Sequence, residues 1–104
     1  MRFSKAEQET MQRAIEFYGK ENQIDQYHEE SAELTIALNK ARRGSYKPQF
    51  IPDIVEEIAD VYVMLYQLET IFGIQRAAVN HEIDRKLMRL KNRMDSNNME
   101  PYKL

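Results

Sequence analysis

The stretch "HEESAELTIALNKARRG", residues 28–44, decides how this chain is read. It has the spacing of an amphipathic helix closed by a glycine, yet its apolar side carries two glutamates. At about 100° per residue, Glu30 and Glu33 fall within roughly 60° of each other. Tyr27, Leu34, Ala37, Leu38 and Ala41 share their arc, whereas His28, Thr35, Asn39 and Arg42 occupy the opposite side. The two carboxylates therefore stand in the stripe that should face a core.

The same arrangement recurs in "IVEEIADVYVMLYQLETIF", residues 54–72. Glu57 and Asp60 are three apart and share a face with Ile54, Val61, Met64, Leu68 and Ile71. Two such helices facing each other would collect four carboxylates. A pair about 5 Å apart repels by roughly 3 kcal/mol at an effective dielectric near 20, so a positive partner is expected. A solvated acidic face is the usual fate of glutamate, but it predicts these residues on the polar arc. Pairing with internal arginine or lysine is the other structural explanation. The functional one is a site for a hard cation. The ligand set is oxygen only, with no cysteine in the chain and no histidine on the arc, which suits Mg2+ or Mn2+ rather than zinc. A di-iron bundle would use Glu-x-x-His, and neither His28 nor His81 has a glutamate three residues before it.

Outward from these two segments, three glycines, at 19, 44 and 73, each follow a stretch of helical spacing, as a left-handed residue closing a helix would. Ser4 with Glu7 forms a capping-box pattern, and Asp53 with Glu56 repeats it after Pro52. The expected helices span about 5–18, 22–43, 53–72 and 75–95. "GSYKPQFIP" reads as a loop between the second and third, and 96–104 as a frayed tail. No strand-like alternation competes, so the fold class is all-α, a four-helix bundle-like single domain of 104 residues.

Composition narrows the function. With 42% hydrophobic and 31% charged residues and a net charge of −2, the chain reads as an ordinary globular protein, and nothing global points to nucleic acid. No apolar segment approaches the roughly 20 residues of a membrane span. No basic stretch followed by an apolar one begins the chain, so the cytoplasm is the default compartment.

The segment "RKLMRLKNR", residues 85–93, holds five basic residues in nine. Lys86, Arg89 and Arg93 fall on one arc beside Val79, Ile83 and Leu90. A solvated face near a helix C-terminus is one reading. Next to an acidic, metal-holding cluster, cations are also how proteins hold polyphosphates. A nucleic-acid-binding row is disfavoured by the overall acidity and the lack of a second basic patch.

Taken together, "EESAE", a gap of 22 residues, "EEIAD", the glycine that follows and the Ile83, Lys86, Arg89, Arg93 pattern resemble the MazG-like, all-α nucleoside triphosphate pyrophosphohydrolase superfamily, over roughly residues 23–93. The size and loop pattern are similar to its short, stand-alone members in phages and Gram-positive bacteria. The resemblance implies hydrolysis of a nucleoside triphosphate, often a deoxynucleotide, to the monophosphate and pyrophosphate. It implies that Glu30, Glu33, Glu57 and Asp60 ligate Mg2+, and that Lys86, with Arg89 and Arg93, contacts phosphate. A carboxylate not fully committed to metal would take the proton of the attacking water. Glu33 is the candidate, with Glu29 and Glu56 as neighbouring alternatives. Gln23, Gln26 and Tyr27 precede the acids on the same arc and are nucleoside candidates, with Phe17 and Tyr18 as stacking candidates. Taken singly, each reads first as a core aromatic or a helix-start polar residue.

Family members are dimers or tetramers. Independently, Ala59, Tyr62, Val63 and Tyr66 make the remaining faces of the third helix apolar, and one small chain has too little protein to cover it. A homo-oligomer is expected. Hydrolysis of phosphoribosyl-ATP and a catalytically silent dimerisation or regulatory module are the alternative functions.

Overall fold

In the computed structural model, which describes residues 2–100, four helices follow one another: α1 (Lys5–Tyr18), α2 (Lys20–Arg43), α3 (Ile51–Ile71) and α4 (Arg76–Asp95). The protein is all-α among the described residues. It divides into two compact units, one ending at Phe72 and the other beginning at Gly73.

The first unit is opened by the capping box read from the sequence. Ser4 Oγ accepts from the Glu7 N–H at 3.1 Å, and Glu7 Oε1 accepts from the Ser4 N–H at 2.8 Å. That backbone bond, then the Ser4 hydroxyl, holds the Glu7 carboxyl below its ordinary value. At Gly19 the chain turns within a single residue. Its φ of 89° is open to glycine, its N–H closes α1 on Ile15 O, and its carbonyl takes the first α2 bond, from Gln23. For this reason α2 begins at Lys20, two residues before the Asn22 expected from the sequence.

Gly44 works differently from the other two glycines. Its φ is −89°, and Ser45 and Tyr46 take the left-handed conformation in its place, at 58° and 56°. What requires glycine at 44 is space, because a Cβ there would overlap the ring of Phe50. Gly44→Ala is accordingly expected to expel that ring and cost about 1–3 kcal/mol, the usual range for overpacking. The loss would be read as a lower Tm and relieved when Phe50→Ala is added.

The segment expected to be a loop to residue 52 is partly helical. A 3-10 turn over Pro48–Phe50 runs directly into α3 at Ile51. Pro52 fits the first turn, where its missing N–H costs nothing. The Asp53–Glu56 capping box therefore does not form, and Asp53 lies inside the first turn, with no side chain capping the helix.

The main packing in this unit is α2 against α3, with α1 laid on both. Ile54, Val61, Leu68 and Ile71 are half-buried around buried Met64, on the face where the sequence placed them. On α2, Ala41 is buried and Leu34 and Ala37 half-buried, but Leu38 is exposed. Met11 is the buried apolar residue of α1, and the Phe3 ring meets Tyr66 edge-on at 5.3 Å. The centre also holds a polar pair: Gln23 Nε2 donates to Gln67 Oε1 at 2.7 Å, and Gln67 Nε2 approaches the Met64 sulfur at 3.8 Å. Val55, Ile58, Tyr62 and Val63 leave an apolar face of α3 exposed.

The second unit consists of α4 and the residues after it. Ion pairs one turn apart line the helix, Arg85 with Glu82 at 2.9 Å and Lys91 with Asp95 at 2.7 Å. Arg93 donates to the Glu100 carbonyl at 3.3 Å, and Asn98 Oδ1 accepts from the Glu100 N–H at 3.0 Å. Of the tail expected at 96–104, residues 101–104 lie outside the described residues. Among the described residues no helix is long and apolar enough to cross a membrane.

Candidate metal centre

Because α2 and α3 pack along their apolar stripes, the glutamates embedded in those stripes meet. One carboxylate oxygen from each of Glu30, Glu33 and Glu57 lies within 4.8 Å of the other two. Glu30 and Glu57 are half-buried and Glu33 is exposed, so the group opens to solvent on the Glu33 side.

Two of these three residues also carry an oxygen in an unfavourable state. Glu30 Oε2 and Glu57 Oε2 are buried and have no hydrogen-bond partner. A carboxylate oxygen removed from water without a donor is costly. Burial raises the Glu30 carboxyl above its ordinary value, against a 2.7 Å hydrogen bond from Gln26 Nε2. The charges of Asp60 and Glu33 raise it further. Glu57 is raised too, by loss of solvation first and then by the charges of Glu33, Asp60, Glu30 and Glu56. Among the described residues neither Glu30 nor Glu57 forms an ion pair with a lysine or arginine. Internal ion pairing, the alternative explanation for buried acids, is thus not found at Glu30 or Glu57. The donor set is all oxygen, two of its residues each hold a desolvated, unpartnered oxygen, and the charges of Asp60 and Glu56 beside it are negative. These features fit a hard divalent cation.

The close group contains three of the four carboxylates expected from the sequence. Asp60, half-buried one turn after Glu57, stands beside it as the electrostatic neighbour of Glu30 and Glu57. The nucleoside candidates are arranged less simply. Gln23 is buried and bonded to Gln67, Gln26 is bonded to Glu30, and Tyr27 is half-buried with its ring edge-on to His28. Phe17 and Tyr18 are exposed and pack edge to face at 4.9 Å. Lys86, Arg89 and Arg93 belong to α4 in the second unit, where Lys86 and Arg93 are half-buried and Arg89 is exposed.

Two residues near the centre, Lys40 and Asp53, have no part in the site expected from the sequence, where Asp53 reads as a helix cap. An open cleft of about 220 Å3 beside the group is lined by Glu33, Ile36, Ala37, Lys40, Asp53 and Glu57. Lys40 continues the 33, 36, 37 spacing by one more step, and Asp53 precedes Glu57 by one turn. That periodicity was the signal that marked both.

No family model matches this chain, and no curated protein or solved structure is significantly similar to it.

Proposed function

We propose that this chain is a MazG-like, Mg2+-dependent nucleoside triphosphate pyrophosphohydrolase, acting on a deoxynucleotide or ribonucleotide and releasing pyrophosphate. The observation that carries the reading is the meeting of Glu30, Glu33 and Glu57, with two buried oxygens lacking any partner. Glu30 and Glu57 hold Mg2+, or Mn2+ in its place, with Glu33 and Asp60 completing the set. A divalent cation in such a site supplies Lewis acidity toward the phosphate and neutralises charge on the leaving pyrophosphate.

Glu33 is the exposed member of the group and lines the cleft, which suits it to accept the proton of the attacking water. Gln26 and Tyr27, one turn before Glu30, are assigned to the nucleoside, and Gln23, held by Gln67, serves the packing beneath them. On the resemblance alone, Lys86, Arg89 and Arg93 are the phosphate candidates. The exposed α3 face around Val55, Ile58, Tyr62 and Val63 supports a homo-oligomer. A stable monomer at micromolar concentration in sedimentation would contradict that part.

The direct test is pyrophosphate release from a panel of canonical and modified nucleoside triphosphates and phosphoribosyl-ATP, with and without Mg2+. Metal-dependent release from at least one nucleoside triphosphate is expected. Release from phosphoribosyl-ATP alone would transfer the reading to that substrate. Failure with every substrate would leave a non-catalytic module.

A further inference from the structure

Lys40 stands two helical turns after Glu33 on the same face of α2, and Asp53 stands one turn before Glu57 on α3. With Ile36 and Ala37 between them, these residues carry the metal centre's cleft away from Glu30. Lys40 is the single cation of the lining, set among the carboxylates of Glu33, Asp53 and Glu57. Among the described residues its ammonium nevertheless makes no ion pair or side-chain hydrogen bond.

Geometry gives that cation a direction. The Cα–Cβ bonds of a helix tilt toward its N-terminus, so the Lys40 stem leans back along Ile36 and Ala37 toward Glu33. Seven residues separate the two along the axis, a rise of about 10 Å. With the lysine leaning inward, the remaining gap is on the scale of a short polyphosphate chain. The cleft, at about 220 Å3, falls below the roughly 300 Å3 where pockets for whole small molecules begin. It suits phosphate groups and leaves a nucleoside outside, on the side of Glu30, Gln26 and Tyr27.

We propose that Lys40 contacts the pyrophosphate portion of the substrate, so that the triphosphate lies along α2 with its terminal phosphates toward Lys40 and its nucleoside toward Gln26. The inference rests on the pyrophosphohydrolase reading above. Three acids against one lysine repel a bare anion, so the contact forms only when a divalent cation occupies the carboxylates.

The experiment is a calorimetric titration of the full chain with Mg2+ alone, and then with inorganic pyrophosphate in saturating Mg2+. Lys40→Gln is expected to weaken pyrophosphate binding about tenfold or more, the loss of one charge-assisted hydrogen bond. Lys40→Arg should retain most of the affinity. Mg2+ binding alone should be unchanged or tighter in both variants, because Lys40 is a phosphate ligand and not a metal ligand. Lys40 is exposed, so neither change should alter the helical circular dichroism. Pyrophosphate binding by Lys40→Gln as tight as by the wild type would overturn the inference alone. Wild-type protein that takes up Mg2+ but no pyrophosphate would also overturn it, leaving the reaction to be judged by nucleotide turnover. A chain that binds no Mg2+ would overturn both.

Discussion

Glu57→Gln is expected to lower Mg2+-dependent pyrophosphate release at least about a hundredfold, since changes merely behind a metal ligand already cost 10–100-fold. The same substitution is expected to raise the Tm of the metal-free protein. Glutamine keeps the shape of the side chain and removes a charge that is poorly solvated and repelled by Glu33, Asp60, Glu30 and Glu56. The two effects have opposite signs, which separates a ligand from a structural residue. A residue needed for the fold would lose activity and stability together. Turnover near the wild-type rate in this variant would eliminate Glu57 as a metal ligand and with it the proposed centre. A steady-state rate and a thermal melt on one preparation decide both.

The second large effect is stabilisation by the metal itself. A ligand that binds only the folded chain, at 100 times its dissociation constant, adds about 2.7 kcal/mol. For a domain of this size that is a rise of roughly 10 °C or more in Tm. The rise should depend on pH. Glu30 and Glu57 are both shifted up from the ordinary value of 4.5, so the folded state favours their protonated forms. Their contribution to stability is fully present below that value and is lost as pH rises through the folded values. The protein thus carries an electrostatic burden near neutrality, and at the proposed centre Mg2+ would compete with protons for the same oxygens. The Mg2+-induced rise in Tm should be larger at pH 8 than at pH 5, and in Glu57→Gln it should largely disappear. A shift that is equal at both pH values, or that survives in Glu57→Gln, would place the cation elsewhere.

Much of the helical framework was legible because its signals are local. The Ser4–Glu7 box needs only residues three apart, and the stripe that half-buries Ile54, Val61, Leu68 and Ile71 around Met64 follows from helical periodicity alone. The same periodicity put Glu30 and Glu57 on the inner faces. Local signals also misled where a competing local structure was stronger. Asp53 with Glu56 has the pattern of a cap, but the 3-10 turn begun at Pro48 passes straight into α3 and leaves Asp53 inside the helix. Gly44 reads as a left-handed terminus, yet the contact that requires it comes from Phe50, six residues on.

By itself, then, the sequence determined that the chain is helical, where its helices break, and that acids stand on faces meant for a core, since all of these follow from spacing within one segment. Only the tertiary structure decided which acids meet. Pairing of α2 with α3 brings Glu30, Glu33 and Glu57 together, sets Asp60 beside them, binds Gln23 to Gln67 across 44 residues, and opens the cleft between Lys40 and Asp53. Those relations depend on the register of one helix against another, which is fixed by side-chain packing across the interface and leaves no mark in the spacing of either segment.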